Sequence, residues 1–158
     1  MKTAKTITVS RRSIILVYIV TALILSNAAV YFIAASQDYN ELSQSSSNSA
    51  ESKDQGDIIA TRNEMIFYIV VALVSVAVGI WILKKKYQSK VPYFIAVIGS
   101  IALIAFYIST RTINIPSIGL QTDVGTIDIL AKVLQAAIAT ISIYILMWSI
   151  ARKRLPAQ

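Results

Sequence analysis

Residues 65–110 read MIFYIVVALVSVAVGIWILKKKYQSKVPYFIAVIGSIALIAFYIST, and their pattern decides the fold. Two apolar runs, 65–83 and 91–110, flank a short link, 84–90, that carries four lysines. A helix rises about 1.5 Å per residue, so roughly 20 residues cross the ~30 Å apolar core of a bilayer. Neither run alternates apolar and polar residues as a strand of a membrane barrel would. The stretch therefore predicts two transmembrane helices joined by a basic turn.

Two more apolar runs of similar length lie at 13–35 and 127–150. Hydrophobic residues make up 56% of the 158-residue chain, and its mean hydropathy is +0.64. Soluble domains contain about 45–50% apolar residues, so the excess indicates an apolar solvent. We predict an all-α protein, an integral membrane four-helix bundle with spans at 13–35, 65–83, 91–110 and 127–150.

The distribution of charge predicts the orientation of these spans. The segments 1–12, 84–90 and 151–158 hold eleven of the fifteen Lys and Arg residues and none of the eight Asp and Glu residues. An excess of Lys and Arg is typical of the cytoplasmic side of a membrane. We therefore expect a multi-pass protein of the cell membrane. Both termini and the link 84–90 should lie in the cytoplasm, and the segments 36–64 and 111–126 should lie outside.

The first apolar run has a second interpretation as a cleaved signal peptide. Its basic start, with Arg11 and Arg12, and the small residues Ala34 and Ala35 are compatible with export and processing. A signal core has only about 7–15 apolar residues, however, and this run is longer. We therefore favour a retained span, whereas cleavage would leave three helices with the N-terminus outside.

The segment 36–64 is rich in serine and carries six acidic and two basic residues. Such a composition buries too little apolar surface to offset the entropy lost on ordering. We expect a flexible external loop that acts as a solvated linker.

The residue inventory argues against enzymes, cofactors and metals. The chain has no cysteine and no histidine, which excludes thiolate ligands, cysteine nucleophiles and the commonest general base. No nucleotide, metal, hydrolase or kinase motif is present, and no small-molecule ligand can be identified. The net charge of +7 comes from basic residues beside the apolar runs, so no nucleic-acid binding is expected.

The polar residues around the start of the fourth run are the most informative group. Thr126 is placed to cap the helix, and Asp128 lies in its first turn, where the helix dipole favours an anion. Lys132 follows Asp128 by four residues, which favours an ion pair on one face. The group forms either an outward-facing polar pocket or a structural pair, and its members are Arg111, Asp123, Asp128, Lys132 and Gln135.

Three residues within the spans are candidates for helix packing. Asn27 is the most costly of the intramembrane polar residues to leave without a partner, so it should face another helix. Ser75 and Gly79 are small residues four positions apart, a spacing that permits close approach of a second helix.

The run RTINIPSIGLQTDVGTIDILAKVLQ, residues 111–135, resembles a region of small four-helix integral membrane proteins of unknown function from archaea and bacteria. In those proteins an Arg-Thr helix end precedes a loop with proline and glycine, and an Asp opens the last helix. The resemblance implies an architecture and no activity. The Ile-, Ser- and Lys-rich composition is also similar to that of ammonia-oxidising archaea, which suggests an accessory subunit of their membrane monooxygenase, although the copper ligands are missing.

Two classes of function stay open. The first is a non-catalytic accessory or scaffold subunit, whose partners are the lipid bilayer and other membrane protein subunits. The second is a small transporter or channel-like protein that uses the outward polar pocket. We favour the first, because the spans carry no deep acidic residue for a transport pathway.

Overall fold

The computed structural model describes residues 11–47, 55–85, 88–113 and 125–154, and these residues form four helices without a strand. The helices are α1 (Arg11–Ser47), α2 (Gln55–Lys85), α3 (Val91–Thr112) and α4 (Thr126–Arg154). All four are long and apolar enough to cross a membrane. The predicted all-helical chain with four candidate spans is confirmed.

The helix ends follow from local chemistry. Pro92 lies in the first turn of α3, where the backbone N–H that proline lacks would have no helical partner. At the start of α4 the amide of Ile129 donates to the carbonyl of Gly125 at 3.2 Å. Thr126 is therefore the first residue of α4. A capping role for Thr126 would instead place the first helical residue at position 127.

The expected flexible loop at 36–64 is wrong over most of its length. α1 continues to Ser47 and α2 already begins at Gln55, so only 48–54 lies outside the described residues. The composition of the segment disfavours an independent core, but extending an existing helix needs no core. Each added residue gains one backbone hydrogen bond, whereas the unfavourable nucleus has already formed in the apolar span.

The bundle is closed on three sides. α1 packs against α2 and α4, α3 packs against α4, and α2 and α3 contact each other only slightly. Gly79 of α2 is buried, and a Cβ added there would lie 3.2 Å from Cδ2 of Leu25 on α1. The absence of a side chain therefore permits the close α1–α2 contact.

Two apolar clusters fill the interior. The larger one joins all four helices and contains Val17, Val20, Ile24, Ile82, Tyr93, Ala96, Ile138 and Ile145. The smaller one contains Val30, Tyr31, Ala72 and Ala131. Successive helices run in opposite directions, so the last part of α1, the start of α2, the end of α3 and the start of α4 lie at the same end of the bundle. Polar side chains gather at this end, next to the smaller cluster. We call this the carboxylate end, and its acidic residues are Asp38, Glu64 and Asp128.

Candidate functional site

Helical spacing aligns the polar residues of α4 at the carboxylate end. Asp128, Lys132 and Gln135 are four and three residues apart, so their side chains lie on one face of the helix. Asp123, the remaining acidic candidate of this region, lies outside the described residues.

Asp128 forms its salt bridge with Arg111 of α3. The Arg111 Nη2 atom lies 2.9 Å from Asp128 Oδ2, and the two side chains are 13% and 30% exposed. The spacing predicted Lys132 as the partner of Asp128, but in the structure the Lys132 ammonium contacts Tyr31 and Gln135 instead. Asp128 is in the first turn of α4 and Arg111 in the last turn of α3, so each charge also complements its helix dipole.

Lys132 contacts neutral groups. Its ammonium donates to the Tyr31 hydroxyl at 3.4 Å and to Gln135 Oε1 at 3.3 Å. It also lies 4.7 Å from the centroid of the Tyr107 ring, on which Arg111 packs at 4.9 Å. Aromatic faces attract cations, so the Tyr107 ring helps to hold both positive groups.

Gln135 connects α4 to α1 in the interior. Its side chain is fully buried, and its Nε2 donates to the Tyr31 hydroxyl at 2.6 Å. Tyr31 in turn packs against Tyr68 of α2 with ring centroids 5.6 Å apart. The network thus ties three helices together through one tyrosine.

Two carboxylates of this end were missed by the sequence analysis. Glu64 accepts a hydrogen bond from the Tyr68 hydroxyl one turn along α2. Asp38 Oδ2 is buried and has no hydrogen-bond partner among the described residues. A signal was present: the positions of Tyr31, Ala34, Ala35 and Asp38 repeat with helical period, so the buried face of α1 continues beyond the predicted span end at 35.

The cavities at the carboxylate end are of two kinds. A small internal one of about 40 Å³ is lined by Tyr31, Glu64, Tyr68 and Lys132, among others. A wider recess of about 450 Å³, lined by Asp38 and the start of α4, shares Asp128 and Tyr68 with it. A water molecule needs roughly 10–15 Å³ of such volume, so this cavity of about 40 Å³ has room for a few waters. Within the described residues no group of three or more acidic side chains is arranged for a metal.

A third opening lies between α2 and α3, and we call it the α2–α3 cleft. It has a volume of about 270 Å³ and is lined mainly by valines of α2 and by small residues of α3 such as Gly99 and Ala102. Ile24 and Asn27 of α1 and Ile138 of α4 form its floor. A Cβ added to Gly99 would meet no atom within 4 Å, so the space beside this glycine is open.

The three predicted packing residues have different positions. Asn27 is 3% exposed and lines the cleft, and Ser75 lines its α2 wall. Gly79 packs against α1, so the second helix that approaches it belongs to the same chain. The spacing of small residues predicts a close helix contact but does not identify the neighbour.

Comparisons with protein families, with characterised proteins and with solved structures find no match to the chain. The resemblance of residues 111–135 to small four-helix membrane proteins stays a prediction.

Proposed function

We propose that the protein is a multi-pass membrane protein and a non-catalytic accessory or scaffold subunit of a membrane complex. The α2–α3 cleft carries this proposal. α2 and α3 barely contact each other, although every other pair of neighbouring helices in the described bundle is packed. The cleft faces the surroundings of the bundle through small residues of α3, the residue type that lets a further helix approach closely in a membrane.

The polar network at the carboxylate end supports a structural role for that end. Arg111 and Asp128 bind each other, and Lys132 and Gln135 share Tyr31. These groups join helices, and the cavity lined by Tyr31, Asp128 and Lys132 is small. They stabilise the bundle that presents the cleft.

A comparison of two leucine substitutions on α3 tests the subunit role. Gly99→Leu fills the cleft, whereas Ala105→Leu adds the same side chain at an exposed position that does not line it. After mild detergent extraction from native membranes, wild type and Ala105→Leu should retain a stoichiometric membrane partner. Gly99→Leu should retain at least tenfold less. Equal retention by both variants, or a wild-type protein without a partner, would contradict the proposal.

The orientation has its own test. Because the chain lacks cysteine, single cysteines can be introduced at Ser46 and Lys86 and labelled with a membrane-impermeant maleimide in intact cells. We expect labelling at Ser46 and none at Lys86, since basic links stay in the cytoplasm. The reverse pattern would invert the proposed topology.

The transporter alternative rests on one observation, the recess beside Asp38. The buried Oδ2 atom of Asp38 lacks a partner in the described residues, so the recess offers an acceptor to a small cation. Flux of Na⁺ or K⁺ into proteoliposomes, abolished by Asp38→Asn and kept in Gly99→Leu, would favour this function over the subunit role.

A further inference from the structure

We infer that the α2–α3 cleft binds one transmembrane helix of a different protein, and that Asn27 accepts a hydrogen bond from a Ser, Thr, Asn or Gln side chain of that helix. The inference rests on the proposed function, because it names the chemistry of the partner for the same cleft.

The Asn27 side chain is the first observation. It is 3% exposed, and its Oδ1 atom has no hydrogen-bond partner in the described part of the chain. Several hydroxyls of these helices donate to a carbonyl of their own helix, as Thr21 does to Val17 and Thr140 to Ala136. Oδ1 is an acceptor, however, and the N–H groups in the middle of a helix are already bonded four residues back. Its partner must come from another helix.

The depth of Asn27 is the second observation. It lies near the middle of the candidate span Ile14–Gln44. At that depth neither water nor the donors of lipid head groups are available, and a lipid tail has no donor. A hydrocarbon chain would fill the cleft and leave the amide oxygen unsatisfied. A polar side chain of a transmembrane helix would fill the space and also satisfy the oxygen.

The shape of the cleft is the third observation. Its volume of about 270 Å³ exceeds the roughly 150 Å³ of an apolar cavity that binds benzene, so it has room for side chains of an incoming helix. Ser142 also has a buried hydroxyl without a partner in the described helices, but it lines none of the three cavities. Of these two residues only Asn27 lines the cleft. Its Oδ1 atom is itself buried, so the terminal amide has to rotate before that oxygen faces an incoming side chain.

A symmetric pair of this chain does not fit the geometry. In a two-fold dimer the same patch meets itself, so Asn27 would have to contact Asn27 of the second copy. Asn27 is 3% exposed and belongs to α1, whereas most of the cleft lining belongs to α2 and α3. The walls would hold the two amides apart, whereas a single helix placed against one cleft can extend a side chain to the floor.

The test measures partner retention and intrinsic stability in the same variants. In Asn27→Leu an unsatisfied buried acceptor is replaced by an apolar group of similar size, so the melting temperature of the isolated chain in detergent should stay the same or rise. Partner retention after extraction from native membranes should fall about tenfold. Asn27→Ala serves as a second, smaller variant, for which the same fall in retention is expected. If Asn27 only stabilised the fold, its substitution would lower the melting temperature. Partner retention would then not fall while the melting temperature stayed the same.

A photo-crosslinking amino acid at Ala102 identifies what occupies the cleft. We expect the crosslink to map to a transmembrane helix of another protein that contains a Ser, Thr, Asn or Gln. Replacing that residue with an apolar one should reduce retention by the same factor as Asn27→Leu, with no further loss in the double variant.

The outcomes separate the two proposals. If Gly99→Leu loses the partner and Asn27→Leu keeps it, the hydrogen bond is refuted and the subunit role stands. If the wild-type protein has no partner, the proposed function itself fails. A crosslink to lipid or to a second copy of this chain overturns the inference, as does a lower melting temperature for both Asn27 variants.

Discussion

The carboxylate end and the α2–α3 cleft differ in how many of their buried polar groups have hydrogen-bond partners. At the carboxylate end, most polar side chains find partners within the chain, through the Arg111–Asp128 salt bridge, the Tyr31 network and the Tyr68–Glu64 bond. Asp38 Oδ2 is the exception among the described residues of this end. In the cleft, the side-chain oxygen of Asn27 has no hydrogen-bond partner among the residues that the structure describes. Satisfied polar groups fix one arrangement of helices, whereas an unsatisfied one at an open surface favours a partner. Under the proposed function, the carboxylate end stabilises the bundle and the cleft binds the partner.

The largest difference in stability is expected between substitutions at Gly79 and Gly99, whose surroundings differ. Gly79→Leu should destabilise the chain by about 3 kcal/mol or prevent folding, because an added Cβ would already be 3.2 Å from Leu25. Gly99→Leu should change the free energy of unfolding by less than about 0.5 kcal/mol, because a Cβ added at Gly99 has no neighbouring atom within 4 Å. Thermal melts of the purified proteins in detergent would show this. Similar melting temperatures for the two variants would mean that the cleft is no more open than the α1–α2 contact.

A smaller effect is expected at the salt bridge of the carboxylate end. Arg111→Gln or Asp128→Asn alone should cost about 1–2 kcal/mol, since each leaves a partly buried charge without its partner. The figure is at the low end for buried pairs because Asp128 is 30% exposed and solvent screens it. The double variant should lose less than the sum of the single ones. Additive losses in thermal melts would show that the two side chains do not stabilise each other.

The smallest loss is expected in the Tyr31 network. Gln135→Leu should cost about 1 kcal/mol, because it removes a buried donor from the Tyr31 hydroxyl and an acceptor from Lys132. Tyr31→Phe removes the other partner, so the double variant should show a coupling of roughly 0.5–1 kcal/mol. Denaturation of the singles and the double in mixed micelles measures this value. A coupling near zero would mean that the network does not hold α1 to α4.

The sequence predicted the helices better than the connections between them. The apolar runs located all four helices, because a long apolar run is a local property and helical hydrogen bonds form within one segment. The prediction for the polar segment 36–64 was wrong, because its composition indicates only that it cannot form a core of its own. It does not indicate how much free energy is needed to extend α1 and α2 into it. For the same reason Asp38 and Glu64 were not recognised as members of the polar group.

By itself, therefore, the sequence determined that the chain forms four helices able to cross a membrane, and which residues of α4 share a face. The tertiary structure alone decided that Asp128 pairs with Arg111, 17 positions earlier, and that Gln135 bonds Tyr31, 104 positions earlier. It also placed Gly79 inside the bundle and Asn27 at an open cleft. Helical period and charge fix which side chains lie together on one helix. Which helices meet, and at what depth, depends on how four apolar surfaces pack together, and no single segment encodes that.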